Sequence, residues 1–103
     1  MKAGHLTSLS ELFKVLSDPM RLQVILALQH KELCVCDLAE ALGVTPPAIS
    51  HHLRMLKSVR LVRYYRSGKH VYYKLDDDHI EQLIAIANAH ILESTTPERS
   101  GTK

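Results

Sequence analysis

The sequence predicts a mostly helical α+β domain in the order ααααββα, and three observations predict it. First, two apolar helical stripes are joined by a turn containing Gly43, and the second of them opens on Thr45-Pro46. Second, the helical stripe gives way to β-branched and aromatic runs between Val59 and Leu75, divided by Ser67-Gly68-Lys69. Third, helical spacing resumes after the triple acid Asp76-Asp77-Asp78. Helix, glycine-containing turn, helix and basic hairpin is the order of a winged helix-turn-helix.

Each element has a local cause. Leu6, Leu9, Leu12, Phe13 and Leu16 form a helical stripe that stops at Ser17-Asp18-Pro19. Asp18 before Pro19 starts a second helix, about Pro19 to Gln29, because proline is preorganised for the first helical position. Its Met20, Leu22, Val24, Ile25, Leu26 and Leu28 are expected to be mostly buried. A third helix is expected from Cys36-Asp37, capped by Asp37, with Leu38, Ala39 and Leu42 inward and Gly43 as a left-handed C-cap. Thr45 caps a fourth helix with Ile49, Leu53 and Leu56 inward and Ser50, His51, Arg54 and Lys57 outward. Leu61–Arg66 and His70–Leu75 are the hairpin strands. The last helix runs from about Asp77 to Glu93. Residues 1–94 are thus expected to form one winged helix-turn-helix domain and 95–103, with Pro97 and Gly101, a disordered tail.

Composition narrows the function. With 103 residues, 46% of them hydrophobic and 23% charged, the chain is one ordinary globular domain. No apolar run approaches membrane-spanning length, and Met1-Lys2-Ala3-Gly4-His5 is unlike a signal peptide, so a cytoplasmic protein without a membrane partner is expected. Cys34 and Cys36 are poorly spaced for a disulfide and are expected to stay reduced. No nucleophile–base pair or phosphate loop is present, so an enzyme is not expected.

The net charge is only +2, but Arg54, Lys57, Arg60, Arg63, Arg66, Lys69 and Lys74 fall in a stretch without Asp or Glu. Such a stretch suits a polyanion. With the fourth helix in the major groove of double-stranded DNA, Thr45, Ser50, His51, Arg54 and Lys57 would meet bases or nearby phosphates. Arg66, Lys69 and His70 at the wing would neutralise phosphate.

Asp77, His79, His90 and Glu93 supply two imidazoles and two carboxylates, a set that favours Zn(II) or Co(II) over soft metals. His79 and His90 are eleven residues apart, close to three helical turns, so both lie on one face but about 16 Å apart along the axis. One metal cannot touch both. Asp77 with His79, and His90 with Glu93, must each be completed by a second, antiparallel helix. That arrangement predicts a homodimer with C-terminal helices at the interface, a two-fold axis near Ile84–Ala85, and two identical sites. The first helix would join the interface, and the apolar stripe offered to it would be Ile80, Leu83, Ile84, Ala87 and Ile91. The alternative is that Asp76–Asp78 only cap the helix and the other residues form a solvated face.

Four stretches resemble the ArsR/SmtB family of metal-sensing repressors: Leu16-Ser17-Asp18-Pro19-Met20-Arg21-Leu22, Glu32-Leu33-Cys34-Val35-Cys36-Asp37-Leu38, Ala48-Ile49-Ser50-His51-His52-Leu53-Arg54-Met55-Leu56, and Asp77-x-His79 with His90-x-x-Glu93. The resemblance implies a homodimer that binds operator DNA without metal and is released by metal. It also implies that a ligating histidine is linked to a backbone carbonyl near the end of the recognition helix, around Arg60. The family's cysteine box takes soft metals but normally needs a third thiolate; here Ala39 stands at the nearby position, leaving His5 or Asp37 to complete a Cys34–Cys36 site. Two alternatives stay open: a thiol sensor of As(III), Cd(II), Pb(II) or oxidants through Cys34 and Cys36, and a winged-helix regulator independent of metal.

Overall fold

The computed structural model describes residues 1–94. Its elements are α1 (Ala3–Leu16), α2 (Pro19–His30), β1 (Leu33–Cys34), α3 (Val35–Leu42), α4 (Pro46–Ser58), β2 (Val62–Ser67), β3 (His70–Leu75) and α5 (His79–Ser94). The expected tail, 95–103, lies outside the described residues.

The helix signals act as anticipated. Asp18 Oδ1 accepts the Met20 and Arg21 amides at 2.8 and 3.3 Å, with Pro19 opening α2. Burial pushes the Asp18 carboxyl up, but these amides and the charge of Arg21 outweigh it and hold the pKa below its ordinary 3.8. Gly43 sits at φ 71°, and the Val44 amide reaches back to the Ala39 carbonyl at 3.1 Å, ending α3. Thr45 Oγ1 accepts the Ala48 amide at 3.3 Å at the start of α4.

The end of α4 is less obvious from sequence. The Leu61 amide bonds to the Leu56 carbonyl at 3.0 Å and the Arg60 amide to the Lys57 carbonyl at 2.9 Å, a Schellman pair. Its left-handed position is filled by Arg60 at φ 60°, where glycine is usual. A side chain there costs about 1–2 kcal/mol.

The sheet is antiparallel in the order β1-β3-β2. Val62 pairs with Leu75 through to Ser67 with His70, so the loop is Gly68-Lys69 alone. Gly68 has φ 63° and Lys69 does not share a positive φ, as a type II′ turn demands. The two-residue β1 has no periodicity to read; it exists because Leu33 and Cys34 pair with Tyr73 and Tyr72.

Val15 and Leu16, Val24, Ile25 and Leu28, Leu38 and Ala39, Ile49, Leu53 and Leu56, Leu61, Val62 and Ile80 form one core. Three expectations are corrected. Asp37 does not cap α3: Cys34, extended at φ −89° and ψ 171°, holds that position because it is still paired in β1, and Asp37 falls in the first turn. Leu26 is 44% exposed, on the side of α2 away from the core. The α5 stripe divides: Ile80 is 3% exposed, with Leu83 and Ile84 packed on the core, so these belong to the chain's own interior. What α5 leaves outward is Ile86 at 70%, with Leu92 and, from the expected stripe, Ala87 and Ile91; Leu6, Leu9 and Phe13 of α1 are also exposed.

Candidate nucleic-acid interface and metal-ligand pairs

The buried stripe Ile49, Leu53 and Leu56 seats α4 on the core, and a helix seated so must turn its other side to solvent. His51, Arg54 and Lys57 are exposed on that side and Ser50 is half-buried, with Thr45 at the exposed N-terminus. The Lys57 ammonium lies 4.6 Å from the centroid of the Tyr64 ring, joining the end of α4 to β2. Arg54 lies near enough to Tyr73 to oppose the rise in that phenol's pKa, which burial and then Tyr64 cause.

The wing is stiffened by its aromatic ladder. Tyr65 stacks on Tyr72 at 5.8 Å between centroids, and Tyr64 meets Tyr73 at 5.6 Å. The Tyr65 hydroxyl donates to Glu32, a hydrogen bond that raises the Tyr65 pKa, and Lys74 lies 3.6 Å from the same carboxylate. Arg63 reaches Asp76 at 4.0 Å. Among the described residues, Arg54, Arg60, Arg66 and Lys69 enter no salt bridge, so these cations remain for an anionic partner. Arg66, Lys69 and His70 are exposed together at the wing tip.

The acidic and imidazole ligands fall into two pairs. Asp77 Oδ1 accepts the His79 amide at 3.0 Å, and Asp77 Oδ2 lies 3.0 Å from His79 Nδ1. The amide, more than the imidazole, holds the Asp77 carboxyl below its ordinary pKa. This places a carboxylate and an imidazole side by side and exposed where α5 begins. His90 and Glu93, both exposed, sit one turn apart near its other end. Because α5 is continuous from His79 to Ser94, the pairs stand about 16 Å apart and cannot share one ion. Among the described residues no group of three or more His, Cys, Asp or Glu side chains of one chain comes together to hold a metal. The donor set, one imidazole and one carboxylate at each end of α5, is of a kind that a borderline cation accepts.

Cys34 is half-buried, Cys36 is exposed, and both are free thiols. They line an open cleft of about 440 Å³ with Asp37, Lys69, His70 and Tyr72. No local pattern in the chain marks this neighbourhood; it follows from the pairing of Cys34 with Tyr72, which lays the α3 N-terminus beside the wing. His5 is not in this cleft; it lines a larger one, about 970 Å³, with Leu9, Leu12, Val59 and Arg60.

A model of the bacterial regulatory protein arsR family matches residues 18–64, spanning α2 to the start of β2. The chain is 46% identical over 94 residues to a transcriptional repressor SmtB homolog of Synechocystis, covering 91% of this chain and 71% of that protein. It is 43% identical over 82 residues to a cadmium resistance transcriptional regulatory protein CadC homolog of Staphylococcus aureus, covering 79% and 68%. Among solved structures, a homodimeric winged helix-turn-helix DNA-binding domain of Mycobacterium bovis aligns with TM-score 0.82 and 28% identity over 89% of this chain and 84% of that one. No helix among the described residues is long and apolar enough to cross a membrane.

Proposed function

The chain belongs to the arsR family of bacterial regulatory proteins, and from that premise we propose that it is a cytoplasmic, homodimeric transcriptional repressor released from operator DNA by a metal ion. The observation that carries the metal reading is the two exposed ligand pairs, Asp77–His79 and His90–Glu93, at the two ends of one continuous helix. In an antiparallel pair of α5 helices each pair meets the complementary pair of the other protomer. Zn(II) or Co(II) fits two nitrogens and two carboxylates. Bound there, the ion would supply a cross-link between protomers.

The residues of the chain do the rest. Ile86, Leu6, Leu9 and Phe13 offer apolar surface to a second copy, and exposed Ala85, Ala87 and Ala89 allow close helix approach. The dimer sets the separation of two α4 helices, which must match major grooves about 34 Å apart. Metal changes DNA affinity only if one such separation suits the ligand pairs and the other suits the DNA. Arg54 can donate twice to guanine, while Lys69 at the wing tip serves phosphate.

Two measurements test this. Sedimentation should show a dimer at micromolar concentration; a stable monomer removes the shared site. Arg54→Ala should cost about 1–3 kcal/mol of base discrimination, and Lys69→Ala should lower the salt slope by about one without altering preference. Unchanged affinity for both would refute the docking of α4 and wing.

A second reading is favoured by one observation, the cleft that brings Cys34 and Cys36 to Lys69 and His70 of the wing. A soft metal or As(III) held by these thiols would act on the wing directly. The two readings part on spectroscopy: two Zn(II) per dimer without thiolate absorbance selects α5.

A further inference from the structure

Arg21 ties three parts of the domain together. Its Nη1 donates to the Val15 carbonyl near the end of α1 at 3.2 Å, and its Nε donates to Nδ1 of His52 on α4 at 3.3 Å. Its own backbone amide is held by Asp18 at the start of α2. Both side chains belong to half-buried residues, and the partners are 31 positions apart in sequence.

A guanidinium only donates and stays charged. The Nδ1 it meets must therefore offer a lone pair, which makes His52 neutral with its proton on Nε2. The electrostatics agree. Burial, the largest influence, together with the charges of Arg21 and His51 lowers the pKa of His52 below its ordinary 6.5, against the opposing pull of Asp18. These three groups are the charged and titratable ones that act on the ring: Asp18 from the α1–α2 corner, Arg21 from α2, and His51 from α4 itself.

The place of His52 on α4 gives the contact its meaning. It lies three residues after Ile49 and beside Leu53, at the edge of the buried stripe. Apolar packing is non-directional: the stripe decides which side of α4 is buried but leaves its fine rotation to other contacts. A directed hydrogen bond at the stripe's edge sets the rotation. The adjacent ring of His51, 5.5 Å away between centroids, is exposed, as is Arg54.

We propose that Arg21 and His52 are positioning residues for DNA recognition: Arg21, anchored on the Val15 carbonyl, fixes the rotation of α4 through neutral His52, and so fixes where Ser50, His51 and Arg54 meet the duplex. This rests on α4 being the recognition helix. Protonating His52 removes the acceptor and leaves two cations side by side, so the tie is broken by acid. The sign follows from a folded-state pKa below the unfolded one. The contribution is complete above about pH 6.5 and is lost as the pH falls through the lower folded value.

The test uses the full chain and a duplex that the wild-type protein selects from a random-sequence pool. At pH about 7.5, His52→Leu and Arg21→Met should bind at least about tenfold more weakly, as losing a hydrogen bond to a charged group implies, while still melting cooperatively. His52→Asn should recover affinity to within about threefold, because its carbonyl can accept where Nδ1 did. Asparagine does not titrate, so its affinity relative to wild type should rise as the pH falls to about 5.5, whatever His51 and His70 contribute. Nitrogen-15 shifts of the His52 ring should report the proton on Nε2 at pH about 7.5. A proton on Nδ1, wild-type binding by His52→Leu, or a His52→Asn variant as weak as His52→Leu would each overturn the proposal and leave the repressor reading standing. A wild-type chain that selects no duplex would sink both.

Discussion

His90→Ala is expected to abolish zinc-induced release from DNA while leaving metal-free DNA binding intact. His90 lies near the far end of α5 from His79, exposed, and takes no place in the core. Removing it should therefore spare the fold, α4 and the wing. On the proposed assignment it removes one of the two imidazoles from each shared site. Loss of an outer-shell partner alone costs about 10–100-fold in metal affinity, and a ligand should cost at least that. Any ion still held by Asp77 and His79 of one chain and Glu93 of the other would lack the histidine that, by the family resemblance, leads to the backbone near Arg60. Cys34→Ser with Cys36→Ser should leave zinc release unchanged, because both thiols stand at the α3 N-terminus beside the wing. Fluorescence anisotropy of labelled duplex, with and without Zn(II), reads all three proteins. The α5 assignment is falsified if the double cysteine variant loses the response and His90→Ala keeps it; the sensor would then be the Cys34–Cys36 cleft.

Leu53→Ala should be among the most destabilising substitutions on the reading helix. Leu53 is 1% exposed and packs among Ile49, Leu56 and the α2 residues of the core. A buried leucine cut to alanine costs about 2–5 kcal/mol, from lost transfer energy and the cavity left behind. In a domain of this size each kcal/mol moves the melting temperature by about 4–8 °C, so a fall of at least about 10 °C is expected by circular dichroism. Protein concentration must be held fixed, because dimerisation itself raises apparent stability. DNA binding should weaken as α4 loses its seat. A shift under about 3 °C would mean that α4 is not held by this stripe.

Local chemistry in the sequence accounts for most of the fold and both candidate surfaces. Asp18-Pro19, Gly43 and Thr45-Pro46 punctuate the helices because caps and left-handed turns are settled within a few residues. The eleven-residue offset of His79 and His90 depends only on helical pitch, so the separation of the two candidate ligand pairs is legible in the sequence. The basic run from Arg54 to Lys74 likewise marked the surface facing an anionic partner.

What only tertiary structure decided lies between residues far apart in the chain. β1 is two residues long and carries no period; its partner strand, forty positions on, defines it, and with it the cap at Cys34 and the cleft beside the wing. Glu32 looks like a loop acid until the wing brings it Tyr65 and Lys74. Ile80 and Ile86 are the same residue type, yet Ile80 fills the core and Ile86 faces outward, because only docking decides which face of a doubly apolar helix is covered. Arg21 and His52 read as two surface residues, and only the packing of α2 against α4 makes them a donor and its acceptor. Periodicity and capping report short-range geometry; the pairing of polar groups across elements is set by the fold, which must satisfy whatever it buries.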